Sequence, residues 1–273
     1  MRLQNKTALV TGAARGIGQA ICVYLARAGA HIMGLDLDSE AMEKTEELVR
    51  REGREFRAFV GDLTHEKEMQ RLIDEIFPIY GGFDVLVNNA GVVATGPFIE
   101  QDPWTIRKVL EIDLIAMVMF TRYALPYMLK RKEGHIVNIA SIAGKLGTEG
   151  LVAYGAAKHG VVGFSSALRE ELRDRGIGVS WICPSFVKTR LISRIRRTVM
   201  TPLLEPADVA RAVVKAVEKN KIEVIVPSHM RFTVAILPNV LPRFARNILK
   251  WTGASRGWYA VKRDTIVSLE KRR

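Results

Sequence analysis

Tyr154 and Lys158 stand four residues apart in Tyr154-Gly155-Ala156-Ala157-Lys158, so on a helix a phenol and an ammonium share one face and lie within mutual reach. A phenol with a reference pKa of about 10 is a poor base at neutral pH, and a nearby cation favours its phenolate. The pair is therefore suited to taking a proton from a hydroxyl or returning one. Ser141 precedes Tyr154 by 13 residues, where its hydroxyl can donate to an oxygen that gains charge as a ketone is reduced.

Proton transfer of this kind needs a hydride partner, and the N-terminal part of the chain offers a nucleotide site. Thr11-Gly12-Ala13-Ala14-Arg15-Gly16-Ile17-Gly18 is a glycine-spaced turn that lets backbone approach a pyrophosphate and presents a helix N-terminus to its charge. It follows an apolar strand-like run and opens a helical one, and Asp36 comes 18 residues after Gly18, at the end of the next strand. That carboxylate can accept from the adenosine ribose hydroxyls, and the extra phosphate of NADP would meet it as a like charge. NAD is the expected cofactor, with NADP disfavoured. Arg15 still offers a guanidinium to a phosphate, whereas Leu37 supplies no second cation. Asp62-Leu63 and Asn88-Asn89-Ala90-Gly91 also fit a nucleotide, the Asp62 carboxylate as an acceptor for the adenine amino group; each could equally be an ordinary turn.

These motifs must be positioned by the elements between them. From Lys6 to Ile182, short runs rich in Val and Ile alternate with amphipathic stretches, the pattern of repeated βα units on a parallel sheet. Strands are expected at Thr7 to Val10, His31 to Leu35, Phe56 to Val60, Val85 to Asn88, His135 to Ile139 and Val179 to Ile182, with a seventh at Glu223 to Val226. Helices are expected at Gly16 to Ala28, Ser39 to Glu52, Glu66 to Phe77, Trp104 to Lys130, Tyr154 to Arg175 and Pro206 to Lys219. The strands' near-continuous apolar character places helices on both faces of a doubly wound α/β sheet. Ligands bind such sheets at the carboxyl ends of the strands, where the motifs fall.

A chain of 273 residues with 48% hydrophobic content can bury one sizeable core. Met1 to Lys6 run straight into the apolar strand, so no secretory leader is expected and the expected compartment is the cytosol. Cys22 and Cys183 lack metal-ligand spacing and read as reduced core thiols; no metal site is expected. Residues 186–273 hold 19 Lys and Arg against 6 Asp and Glu, so the net charge of +12 belongs to the C-terminal third. From Arg231 onward, cations (Arg231, Arg243, Arg246, Lys250) interleave with apolar residues (Phe232, Ile236, Leu237, Phe244, Ile248, Leu249, Trp251). Pro238 and Pro242 interrupt this stretch, whose apolar runs fall far short of the roughly 20 residues a membrane span requires. Three readings of it stay open: a lid or dimer contact over an apolar pocket, a peripheral segment on anionic lipid, and an ordinary solvated surface. The first two imply a lipophilic substrate. The tail's aromatics match no nucleic-acid-binding module, and nucleic acid is not an expected partner.

Taken together, Thr11 to Gly18, Asn88 to Gly91, Ser141, Tyr154 and Lys158 stand in the order and spacing of the short-chain dehydrogenase/reductase family, and the chain resembles that family over roughly residues 5–190. The resemblance implies a Rossmann-type catalytic domain, placed here at 1–230 with a basic apolar extension at 231–273. It implies hydride exchange between NAD(H) and a secondary alcohol or ketone. Tyr154 would take the alcohol proton, Lys158 would hold the nicotinamide ribose and lower the tyrosine pKa, and Ser141 would orient the substrate oxygen. It also implies that Val187 and Thr189, in Cys183-Pro184-Ser185-Phe186-Val187-Lys188-Thr189, hold the nicotinamide carboxamide, although Ser185 replaces the family's usual glycine. A homodimer or homotetramer formed through the two long helices is implied too. In Glu111-Ile112-Asp113-Leu114 the family's Asn, which helps tether a water beside the lysine, is replaced by Asp113. An ionised Asp113 would offset part of the Lys158 charge and hold the tyrosine pKa higher. The competing reading is a catalytically silent nucleotide sensor on the same fold; the complete Ser141, Tyr154 and Lys158 set argues against it.

Overall fold

The structure, a computed structural model, describes residues 1–79, 81–189, 203–236 and 240. Most of the basic extension, including Leu237, Arg243, Phe244, Arg246 and Trp251, therefore lies outside the described residues. Among the described residues seven strands form one parallel sheet: β1 Thr7–Thr11, β2 His31–Asp36, β3 Phe56–Val60, β4 Val85–Asn88, β5 Gly134–Ile139, β6 Ile177–Pro184 and β7 Glu223–Val226. Their spatial order is β3-β2-β1-β4-β5-β6-β7. Strand order reverses between β1 and β4, so the loops that follow these two strands flank the crevice where such sheets take ligands.

The helices are α1 Gly16–Arg27, α2 Ser39–Arg51, α3 Glu66–Ile76, α4 Pro103–Leu110, α5 Ala116–Arg131, α6 Val152–Glu171 and α7 Pro206–Lys219. Side chains alternate across the strands and feed two cores. Ala8 and Val10 of β1 join Ile21, Cys22 and Leu25 of α1, Val49 of α2 and Val213 of α7 on one face. Leu9, from the same strand, joins Leu72 and Ile73 of α3, Phe120 and Met128 of α5 and Leu168 of α6 on the other. Because these positions are shut off from water, shortening a Leu or Ile among them to Ala would cost about 2 to 5 kcal/mol.

Local chemistry sets the helix ends. Asp38 caps α2 by accepting from Ala41 N at 3.1 Å, and Asp102 caps α4 by accepting from Thr105 N at 2.9 Å, with Pro103 in the first turn where no intrahelical bond is lost. The stretch expected as one helix from Trp104 to Lys130 is instead two helices joined by a π-helical turn, Glu111–Ile115. The turn inserts a residue's worth of rotation and aims Asp113 inward, while Gly160 of α6 leaves room for Leu114 against it. Among the described residues no helix is long and apolar enough to cross a membrane.

One buried histidine sets a stability limit. His135 lies under the sheet with its Nε2 2.8 Å from Ser180 Oγ, and burial, aided by the N-terminal charge and Arg169, pushes its pKa down to about 4. The unfolded chain titrates this group near 6.5, so unfolded molecules bind more protons between the two values. The stabilisation is complete above pH 6.5 and is lost as pH falls toward 4, reaching on the order of 2 kcal/mol by pH 5. Urea midpoints for wild type and His135→Gln at pH 8 and pH 5 should differ by that amount in their pH dependence. Equal dependence would exclude the histidine as its source.

Candidate active site

The nucleotide turn is built by close backbone approach. Gly12 has φ +67° and Gly16 φ +57°, conformations that favour glycine, and a Cβ at Gly18 would come within 1.9 Å of Gly12 O. Ile17 packs its side chain on the core beneath α1. The turn is clamped from two sides. Asn89 Nδ2 donates to Thr11 O at 2.9 Å and Gly12 O at 3.2 Å, while Thr11 Oγ1 accepts from Asn89 N and Ala90 N, both at 3.0 Å. From α2, buried Thr45 donates through Oγ1 to Ala13 O at 3.0 Å. Asn88, grouped with this loop by its motif, instead turns under the sheet, donating to Thr121 Oγ1 at 2.9 Å and Asn138 Oδ1 at 2.8 Å. Thr45 escaped the sequence reading, and Thr11, quoted there only as the start of the turn, was given no clamping role, since neither a strand-end Thr nor a mid-helix Thr carries a signal of which loop it will hold.

Asp36 ends β2 beside this turn, one oxygen accepting from Ala14 N at 3.0 Å and the other from Asp38 N at 3.1 Å. Each oxygen retains a lone pair for a further donor such as a ribose hydroxyl. Arg15 is ion-paired with Asp38. Asp62 Oδ1 is occupied by Thr64, accepting from both its N and its Oγ1 at 2.8 Å, and Leu63 packs toward the α3 core. After β6, Val187 bridges to Leu204, and Thr189 Cγ2 lies 3.4 Å from where a Cβ would stand on Gly16. The segment after β6 thus folds over the glycine turn. Ser185 donates its N–H to Val226 O at 2.8 Å, while its buried hydroxyl has no partner among the described residues. A cradle that only glycine permits, a carboxylate with spare lone pairs and an orphaned hydroxyl beyond β6 together suit a dinucleotide.

The chemical centre lies at the carboxyl ends of β5 and β6. Ser141, directly after β5, accepts from Ala143 N at 3.1 Å and caps a short 3₁₀ turn, Ile142–Gly144. Gly144 presses that turn onto α6, where a Cβ would come within 2.5 Å of Lys158 O. Because the Ser141 oxygen is the acceptor in its capping bond, its own proton is left to donate. Tyr154 and Lys158 lie in the first two turns of α6, with Lys158 Nζ 5.5 Å from the Tyr154 ring centroid. Lys158 Nζ donates to Ile139 O at 3.2 Å and lies 3.0 Å from Asp113 Oδ2. Asp113, 2% exposed, also accepts from Val92 N at 2.7 Å through Oδ1, and Gly91 leaves room for it: a Cβ there would stand 3.0 Å from Asp113 Oδ2. The structure therefore brings Ser141, Tyr154, Lys158 and Asp113 into one cluster.

Burial governs the titration of this cluster. It raises the Tyr154 phenol; Lys158 and Ser141 pull it back down, and Asp113 pushes it up again. Burial alone would lower Lys158, but the charges of Asp113 and Tyr154 outweigh it and the ammonium is held above its ordinary value. Asp113 is raised by burial despite the facing ammonium. Cys183, next to the cluster, is pushed up to about 12, mainly by burial, and stays a neutral thiol. Tyr154 packs against two apolar clusters, Val93, Ala143 and Leu151, which Phe186 joins, and Ala94, Val109 and Ala153, which Val92 and Ile106 join.

The sequence pattern of short chain dehydrogenases matches residues 6–199. The chain belongs to that family. It is 32% identical over 259 residues to the ketoacyl reductase HetN of a Nostoc species, covering 92% of this chain and 90% of that protein. To the rat estradiol 17-beta-dehydrogenase 11 it is 32% identical over 246 residues, covering 89% and 82%. Among solved structures, a short chain dehydrogenase/reductase from Burkholderia phymatum in complex with NAD superposes with a TM-score of 0.77 at 28% identity, covering 86% of this chain and 93% of that one. The family places this short chain dehydrogenase among oxidoreductases, and the seven-stranded sheet is the fold expected of it.

Proposed function

We propose that this oxidoreductase exchanges a hydride between NAD(H) and a lipophilic secondary alcohol or its ketone. The observation that carries the reading is the cluster in which Lys158 approaches both Tyr154 and Asp113 while the Ser141 hydroxyl hydrogen-bonds the Tyr154 phenol. When bound, the nicotinamide accepts hydride from the carbinol carbon or supplies it to the carbonyl carbon. In the oxidation direction the alcohol proton passes to Tyr154 Oη as the carbonyl forms; in reduction the phenol returns it. Lys158 offsets part of the rise that burial imposes on the phenol and so favours the phenolate, and Ser141 donates to the substrate oxygen while its charge changes. Gly12, Gly16 and Gly18 would admit the pyrophosphate, Asp36 the ribose hydroxyls, and Val187 and Thr189 the carboxamide end. The Val93, Leu151 and Phe186 wall supports an apolar substrate.

The test follows absorbance of NADH and NADPH separately over a panel of apolar and polar alcohols and ketones. Turnover with NAD on apolar members is expected. Turnover with NADP alone would overturn the role given to Asp36, and turnover confined to sugars would overturn the lipophilic class.

Asp113 adds a prediction of its own. Its charge holds the Tyr154 phenol high, so Asp113→Asn, which keeps an oxygen for Val92 N, should move the rising limb of the oxidation pH profile to lower pH and speed oxidation at pH 7 several-fold. An unmoved profile would remove Asp113 from the proton path.

A further inference from the structure

The glycine turn contains a cation where NADP-using proteins would profit from one, yet the chain does not leave it at the disposal of a phosphate. Arg15, half exposed at the mouth of the turn, is ion-paired with Asp38, whose side chain is only 11% exposed. Asp38 is fixed in three ways: its Oδ1 accepts from Ala41 N as the cap of α2, its Oδ2 meets Arg15, and its backbone N–H donates to Asp36 Oδ1. Asp36, Arg15 and Asp38 thus form one cluster at the carboxyl end of β2, with Asp36 also tied to Ala14 N of the turn. A phosphate on the ribose oxygen nearest Asp36 would face two fixed carboxylates, and it would meet a guanidinium whose charge is already paired with Asp38.

We infer that Asp38 is a cofactor-selectivity residue: by holding Arg15 in an ion pair beside Asp36, it withholds the one cation of the glycine turn from a 2′-phosphate and so reinforces preference for NADH over NADPH. This inference rests on the reading that the ribose hydroxyls lie at Asp36. Its physical basis is twofold. Opening a charge pair has a cost, modest for a pair this exposed, and Asp38 itself repels a phosphate brought to its partner. The pairing was not visible in the sequence, where Arg15 and Asp38 are 23 positions apart.

The experiment measures dissociation constants of NADH and NADPH by quenching of protein fluorescence, with no substrate present, for wild type, Asp38→Asn, Asp38→Ser, and Asp38→Asn combined with Arg15→Ala. Asn and Ser both cap helices as well as Asp does, so α2 should survive, and melting curves check that it has. The expected result is that each single substitution shifts the NADPH-to-NADH affinity ratio toward NADPH by about five- to tenfold, and that Arg15→Ala abolishes the gain. If wild type prefers NADH and neither single variant moves the ratio, the inference fails while the role of Asp36 stands. A gain that survives Arg15→Ala also overturns it, because the guanidinium would then have no part. A wild type that binds NADPH more tightly overturns the NAD reading itself, and the inference with it.

Discussion

Tyr154→Phe should lower turnover by roughly 10²- to 10⁴-fold, the span that a positioned general acid or base contributes. The substitution removes one oxygen and keeps the ring, which packs against the apolar clusters of Val93, Ala143 and Leu151 and of Ala94, Val109 and Ala153. The apolar wall is therefore preserved, and NADH should still bind with an affinity changed far less than the turnover. The residual rate should also lose its rise with pH in the oxidation direction. In wild type that rise reports the phenol, held high by burial and by Asp113 and brought down by Lys158. Loss of the pH-dependent limb separates a proton-transfer role from a packing role, which would lower the rate evenly at every pH. A variant within tenfold of wild type would leave Tyr154 outside the chemistry.

How much of this centre the sequence carried depends on the reach of the interactions involved. The strands were legible because nearly every position in them is apolar, as parallel sheets covered on both faces require. β6 runs from Ile177 to Pro184, past the expected Val179 to Ile182, because Gly178 and the terminal Pro184 look like strand breakers but meet the ladder where their neighbours can pair. The places of the glycine turn, Ser141, Tyr154 and Lys158 were legible from residue type, spacing and the family resemblance together, since each stands in a loop or the first turns of a helix. What was not legible is long-range. The π-helical turn at Glu111–Ile115 interrupts a stretch whose apolar pattern continues unbroken, because it arises from α6 packing against it. The ion pair of Arg15 with Asp38 requires α2 to start at one particular angle to the glycine turn, and no local pattern encodes that angle.

Lys158→Met should be the most destabilising substitution in the cluster, at about 3 to 5 kcal/mol, because it strands the buried Asp113 carboxylate. The loss should depend on pH in a defined direction. Burial already raises Asp113, and without the ammonium nothing but the Val92 N–H opposes that rise. A carboxyl whose folded pKa lies above its unfolded value loses stability as pH climbs from the unfolded value through the folded one. The deficit should therefore be larger at pH 8 than at pH 5, where protonation relieves it. Combining Lys158→Met with Asp113→Asn makes the pair neutral while keeping an acceptor for Val92 N, so most of the stability should return. Turnover should not return with it, since the double variant still lacks the cation that brings the Tyr154 phenol down. Urea unfolding of the two single variants and the double variant measures the coupling, and steady-state rates on the same proteins measure the chemistry. Recovery of both would make the lysine a purely structural partner of Asp113. Recovery of stability alone assigns Lys158 two separable tasks: neutralising a buried carboxylate, and keeping a half-buried phenol within reach of ionisation.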